Sequence, residues 1–164
     1  MIKYFSNEFD WLMVKRNAIK RIDKEVKSMD FLYCKAIQEI EEGLKRFTGA
    51  QYCVMTKSGT QALAIALKCC GVGKGDYVIT TPFTFIATIS AIKMVGAEPI
   101  FVDIKEDTFN IDETKIEAKI KENTKAIMPV DIFGNPCNHN AIAEIAKKYN
   151  LKVIDDACQA LTSE

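Results

Sequence analysis

The 164-residue chain lacks several features that would indicate particular functions. Its 22 basic residues balance its 22 acidic residues, so charge gives no reason to expect a nucleic acid or an anionic membrane as a partner. No stretch approaches the roughly 20 apolar residues that a membrane-spanning helix needs. Residues 1–8 mix charged and apolar residues where a signal peptide would be apolar throughout. We therefore expect a cytoplasmic protein.

Metal-binding patterns are also missing. The sequence has six cysteines but no C-x-x-C pair, and His139 is its one histidine. Structural zinc sites need clustered cysteine and histidine ligands, so we predict no metal site and six reduced cysteines. Cys53 and Cys158 lie in apolar, strand-like runs, which favours an interpretation as small core residues.

From about residue 50 the chain alternates strand-like and helix-like segments, which is typical of a parallel α/β sheet. The pattern predicts strands over 51–56, 77–80, 98–102, 126–130 and 151–154. It predicts helices over 60–70, 83–95, 112–121 and 140–149. We expect a doubly wound sheet in which the strand at 151–154 is central, because its apolar run needs cover on both faces.

The first 49 residues follow a different pattern. Apolar residues recur there at intervals of three and four, which predicts two amphipathic helices. They are Ile19, Ile22, Val26 and Met29 in the first, and Ile37, Ile40, Leu44 and Phe47 in the second. The predicted organisation is an N-terminal helical segment over 1–49 and an α/β domain over 50–164.

Ser58, Gly59 and Thr60 lie at a predicted turn from strand to helix. The free N–H groups and the partial positive charge of a helix N-terminus bind phosphate. Glycine would let the anion approach the backbone, and the threonine hydroxyl would add a hydrogen bond. The alternative is a plain helix cap by Ser58, which needs no ligand.

Two further segments follow predicted strands. Phe83 and Phe85 could stack on a planar ring over the sheet edge, or they could be core residues. Asp156 ends the last predicted strand, where open α/β sheets place their ligands. Its carboxylate could face a pyridine nitrogen and keep that nitrogen protonated, with Gln159 beside the ring's phenolic oxygen. The alternative for Asp156 is a helix cap or a surface turn.

The loop at 131–136 is less specific. Asp131 could form the turn or line a site, and His139 is interpreted as a surface residue at the start of a helix.

Taken in order, these segments resemble the DegT/DnrJ/EryC1/StrS family of sugar aminotransferases. The resemblance runs from about residue 37 to residue 160. It depends on six short motifs: SGTQAL at 58–63, TPFTFIAT at 81–88, GAEPIFVD at 96–103, NID at 110–112, FGNPC at 133–137 and DDACQA at 155–160. The resemblance implies the three-layer, mostly parallel large domain of the fold-type I aminotransferases, incomplete at its C-terminal side.

The resemblance also implies pyridoxal 5'-phosphate as cofactor and assigns roles by position. Gly59 and Thr60 would contact the phosphate, and Phe85 would stack on the ring. Asp156 would pair with the pyridine nitrogen and Gln159 with the phenolic oxygen. The substrates would be a nucleotide-linked keto sugar and an amino donor such as glutamate, and the complete enzyme would be a homodimer.

Three departures from the family pattern affect these expectations. Cys34 and Lys35 replace a usual Gly-Pro, and Asp131 replaces a common histidine. The S-x-H-x-x-K segment that carries the family's Schiff-base lysine has no match in the 164 residues. We therefore expect an N-terminal fragment that is inactive alone and has no catalytic residue of its own. The alternatives are a fragment of a related sugar dehydratase, with histidine in place of that lysine, or a non-catalytic remnant of the fold.

Overall fold

A computed structural model describes residues 11–29, 35–161 and 163. The chain divides into two compact units, Met1–Met55 and Thr56–Glu164. The first unit contains helix α1 (Trp11–Ser28) and helix α2 (Lys35–Thr48). Within it, the backbone N–H of Met55 donates to the Glu41 carboxylate at 2.8 Å. Cys34 and residues 1–8 lie outside the described residues.

The second unit alternates helices and strands. Its helices are α3 (Gly59–Cys69), α4 (Ile86–Met94) and α5 (His139–Lys148). Its strands are β1 (Tyr77–Thr80), β2 (Glu98–Phe101), β3 (Thr124–Ile127) and β4 (Lys152–Val153). Short 3-10 turns cover Glu113–Lys115, Glu117–Lys119 and Ile132–Gly134. The four strands are parallel and lie in the order β2-β1-β3-β4.

Both faces of the sheet are covered, which gives three layers. Val78 and its neighbours on one face pack with Leu67 of α3 and Ile92 of α4. Ile79, the next residue along β1, packs on the opposite face with Ile142 of α5. Consecutive strand residues point to opposite faces, so a strand covered on both sides needs a continuous apolar run. The predicted doubly wound α/β fold is confirmed.

Two predicted elements are wrong. Residues 51–56 form no strand, and Val54 is 79% exposed; a strand needs a partner for its backbone, and none of the described strands pairs there. The helix predicted over 112–121 is a pair of 3-10 turns. The Asp112 carboxylate accepts from the backbone N–H and the hydroxyl of Thr114 at 3.1 and 2.6 Å, which favours a tight turn over an α-helix.

The prediction of a central strand at 151–154 is also wrong for the described chain. β4 is two residues long and lies at the edge of the four-stranded sheet, paired with β3 alone. Its apolar flanking residue Ile154 is nevertheless buried in the core, which is the feature that the apolar run correctly indicated.

None of the helices among the described residues is both long enough and apolar enough to cross a bilayer.

Candidate functional site

A cleft opens at the carboxyl edge of the sheet, among the loops that follow β1, β3 and β4. Its lining includes Phe85 after β1, Asp131 after β3, and Asp156 and Gln159 after β4. From β1 the chain runs to β2 on one side and then crosses to β3 on the other side of β1, so the strand order reverses direction there. Open α/β sheets bind ligands at this kind of switch point in strand order.

Asp156 is fixed in this cleft through its backbone. Its N–H donates to the carbonyl of Pro129 at 3.0 Å, and its carbonyl accepts from the N–H of Asp131 at 3.2 Å. These bonds continue the β3–β4 pairing as an isolated parallel bridge between Val130 and Asp156. The aspartate is buried, so the alternative of a surface turn is wrong.

Thr88, in the first turn of α4, contacts the Asp156 carboxylate, and Thr84 contacts Thr88. The Thr88 hydroxyl lies 2.7 Å from Oδ2 of Asp156, and the Thr84 hydroxyl lies 2.8 Å from that of Thr88. Thr88 is fully buried. Asp156 is therefore held at its side chain by the Thr88 hydroxyl and at its backbone by the bonds to Pro129 and Asp131.

Phe85 is the residue that caps the N-terminus of α4. Its side chain is 72% exposed and lines the cleft, so the interpretation as a core residue is wrong. An exposed aromatic ring at the mouth of a cleft is available to stack on a planar ligand.

The Gln159 side chain is oriented by a backbone group. The N–H of Phe133 donates to Oε1 of Gln159 at 2.7 Å. Because the amide oxygen accepts this bond, the amide nitrogen is the atom left to donate elsewhere. This arrangement suits a hydrogen bond to a ligand oxygen.

The N-terminus of α3 lies beside the segment that carries Asp156. A Cβ atom at Gly59 would lie 3.0 Å from the sulfur of Cys158, so a larger residue would require movement. Ser58 caps the helix by accepting from the N–H of Gln61 at 3.3 Å. The backbone N–H groups of Gly59 and Thr60 have no acceptor within the helix and are available to a ligand.

Cys158 is exposed at the cleft, so the interpretation as a core residue is wrong. It follows the strand end instead of lying within it. A hydrogen bond to Asp156, together with partial desolvation at the cleft, raises the pKa of its thiol to about 11. The side chain is therefore neutral near pH 7. Cys53 is half-buried, and Cys137 is the fully buried cysteine among those described.

His139 is half-buried and contacts an acidic cluster that includes Asp131, a residue of the cleft lining. Its Nε2 lies 3.1 Å from both carboxylate oxygens of Asp131 and 3.7 Å from Oδ2 of Asp155. Asp131 also accepts from the N–H of Cys137 at 2.8 Å, which orders the loop. These direct contacts account for the clustering, and the expectation of no metal site stays a prediction.

The acidic cluster predicts a pH-dependent stability change. Burial, with repulsion from Asp131, raises the pKa of Asp155 from 3.8 to about 6. The folded state therefore binds more protons between about pH 4 and 6, and stability falls as pH rises through that window. We expect Asp155→Asn to stabilise the chain near pH 8, because it removes this unfavourable charge from the folded state. The gain should be on the order of 1 kcal/mol, since the Asp155 side chain is 35% exposed and its charge is partly screened.

The measurement is urea unfolding of both proteins near pH 4.5 and near pH 8. The advantage of the variant should shrink toward zero at the lower pH. An equal difference at the two pH values would contradict the proposed cause.

Three phenylalanines form an exposed aromatic cluster next to the cleft. The ring centroid of Phe83 lies 5.8 Å from that of Phe109 and 6.1 Å from that of Phe133. Phe109 and Phe133 have positive φ angles of 60° and 56°, which are uncommon and costly for bulky residues. This cluster could not be predicted from the sequence, because its members are up to 50 residues apart in the chain.

Comparison of the sequence with known proteins identifies a family of aminotransferases that matches this chain. The family model described as the DegT/DnrJ/EryC1/StrS aminotransferase family matches residues 13–164. The UDP-2-acetamido-2-deoxy-3-oxo-D-glucuronate aminotransferase of Pseudomonas aeruginosa is 37% identical over 160 residues. The dTDP-4-amino-4,6-dideoxy-D-glucose transaminase of Shigella dysenteriae is 49% identical over 127 residues.

The fold of the chain is also similar to that of a solved structure with a bound cofactor. The crystal structure of NtdA from Bacillus subtilis with bound cofactor PMP has a TM-score of 0.89 and 35% identity, over 92% of this chain and 34% of that one. The two sequence relatives align with 98% and 77% of this chain but with 45% and 34% of their own lengths. The chain therefore spans less than half the length of each of these three proteins.

Proposed function

Because the chain belongs to the DegT/DnrJ/EryC1/StrS aminotransferase family, we propose that residues 50–164 hold pyridoxal 5'-phosphate non-covalently, as part of an aminotransferase site. The observation that supports this most strongly is the meeting of Phe85, Asp156 and Gln159 in one cleft. These residues come from loops after two different strands. A carboxylate can pair with a pyridine nitrogen, an amide can donate to a phenolic oxygen, and an aromatic ring can stack on the ring face.

Each residue has a role that its surroundings favour. Asp156 is buried with a fixed backbone, so its carboxylate would face the pyridine nitrogen and hold a proton there. The Gln159 amide nitrogen would donate to the phenolic oxygen, since its oxygen is occupied by Phe133. Phe85 would cover one face of the ring.

The phosphate would bind at the N-terminus of α3. The N–H groups of Gly59 and Thr60 and the partial positive charge of the helix end favour an anion there. The neighbouring thiol of Cys158 is neutral, because its pKa is raised to about 11. It therefore adds no negative charge that would oppose the phosphate.

When bound, the cofactor supplies an electron sink for carbanion chemistry. The described residues contribute binding and orientation. Asp156 would keep the proton on the ring nitrogen, Phe85 would limit the tilt of the ring, and the α3 turn would hold its phosphate end. None of these groups supplies a nucleophilic amine.

We propose that the amino acceptor is a nucleotide-linked keto sugar and that the donor is an amino acid such as glutamate. The support is that both relatives are named for amination of UDP- or dTDP-linked sugars. The complete protein would act as a homodimer in amino-sugar or polysaccharide biosynthesis.

We also propose that these 164 residues alone catalyse no amino transfer. They contain no S-x-H-x-x-K motif, and the family uses the lysine of that motif to link the cofactor and to move the proton. The cleft should therefore bind the cofactor weakly and without a specific covalent bond.

The test combines binding with covalent mapping. Pyridoxamine phosphate is the binding probe, because its amine does not react with surface lysines; binding is followed by equilibrium dialysis. The chain is then mixed with pyridoxal phosphate, reduced with borohydride and mapped by mass spectrometry. Amino transfer is assayed with glutamate and UDP-2-acetamido-2-deoxy-3-oxo-D-glucuronate.

We expect saturable binding of pyridoxamine phosphate, scattered substoichiometric lysine adducts and no release of 2-oxoglutarate. Absence of binding would contradict the cofactor site. A single stoichiometric lysine adduct together with amino transfer would contradict the proposed inactivity of the chain.

A further inference from the structure

We propose that Thr88 is a positioning residue for the Asp156 carboxylate, and that Thr84 supports it through a hydroxyl relay. This inference rests on the proposed function, because it assigns Thr88 to the pyridine-nitrogen end of that site. Thr88 would not touch the cofactor. It would act through the orientation of Asp156.

The direction of the relay follows from the donors available. An ionised carboxylate can only accept, so the Thr88 hydroxyl must donate to Oδ2 of Asp156 across 2.7 Å. The single hydroxyl proton of Thr88 is then used. Thr84 must therefore donate to the oxygen of Thr88 across their 2.8 Å contact.

The relay fixes one oxygen of Asp156 and leaves the other outside this bond. A hydrogen bond to a charged group is stronger than one between neutral groups, and burial of Thr88 keeps water from replacing it. The carboxylate is thus held against rotation about its Cβ–Cγ bond. Oδ1 takes no part in the bond to Thr88, and the Cys158 thiol also hydrogen-bonds to this carboxylate.

The spacing of the two threonines makes the relay possible. Phe85 is the N-cap of α4, so Thr84 precedes the helix and Thr88 lies in its first turn. The hydroxyl groups of the two threonines lie 2.8 Å apart. The same short segment therefore presents the Phe85 ring to the cleft, the Thr88 hydroxyl to Asp156 and the Thr84 hydroxyl to Thr88.

The first experiment needs no cofactor. NMR of the unliganded chain should show a slowly exchanging hydroxyl proton on Thr88, and Thr88→Val should remove it. Thr88→Ser should retain a protected hydroxyl proton. If the wild-type chain shows no protected hydroxyl at Thr88, the relay is wrong.

The second experiment measures affinity for pyridoxamine phosphate. Thr88→Val should weaken binding by roughly three- to tenfold, and Thr88→Ser should restore it. Thr80→Val is the matched control, because Thr80 is also a buried threonine but donates to the carbonyl of Met128 at 2.8 Å. That variant should bind pyridoxamine phosphate like the wild type.

A double-mutant cycle separates positioning from a general structural effect. In an Asp156→Ala background Thr88→Val should have no further effect on affinity, because the group that it positions is gone. An equal loss in both backgrounds would overturn the inference, as would wild-type affinity for Thr88→Val. If the wild-type chain binds no pyridoxamine phosphate, the proposed function fails and this inference fails with it.

Discussion

Asp156→Asn is expected to weaken binding of pyridoxamine phosphate by roughly 10- to 100-fold, the range for loss of one hydrogen bond to a charged group. The substitution keeps the shape of the side chain and an oxygen that can accept from Thr88. It removes the negative charge that would face the protonated ring nitrogen. The fold should remain, because the backbone bonds of residue 156 to Pro129 and Asp131 do not depend on the side chain.

Asp155→Asn is the matched control for this prediction. It removes a carboxylate from the preceding residue, which contacts His139 and is absent from the lining of the cleft. The affinity of this variant should stay within a fewfold of the wild type. Equal losses in the two variants would show that general electrostatics, and not the position of Asp156, determines binding.

Much of the sheet could be predicted because its apolar runs are local signals. The run at 77–80 has the same bounds in the structure as β1, since a strand buried on both faces is apolar throughout. The run at 51–56 has similar composition but forms no strand. Pairing depends on a partner elsewhere in the chain, and composition carries no information about that partner.

The candidate site was predictable where a residue lies at the end of a strand. Asp156, Phe85 and Gln159 follow β4 or β1, and parallel strands bring such positions to a common edge. Their roles toward the cofactor stay predictions. The Thr88–Asp156 contact was missed because its partners are 68 residues apart. A threonine inside a helix gives no signal of which distant carboxylate it contacts.

Ile79→Ala is expected to lower the free energy of unfolding by about 2–5 kcal/mol, the usual cost of truncating a fully buried aliphatic side chain. Ile79 is completely buried in β1 and packs in the cluster that joins the sheet to α5. Its replacement removes apolar contacts and leaves a cavity. Because β1 leads into the segment that carries Phe85 and Thr88, unfolding of β1 would also remove the site.

Urea unfolding of Ile79→Ala, Ile79→Val and Ile65→Ala tests this expectation. Ile79→Val should cost about 0.5–1.5 kcal/mol, since it removes one methyl group. Ile65 lies on α3 and is 52% exposed, so Ile65→Ala should change stability by less than about 0.5 kcal/mol. If the Ile79 and Ile65 alanine variants unfolded at the same urea concentration, β1 would not be the buried centre of the sheet, and the cleft that depends on its carboxyl end would lose its structural basis.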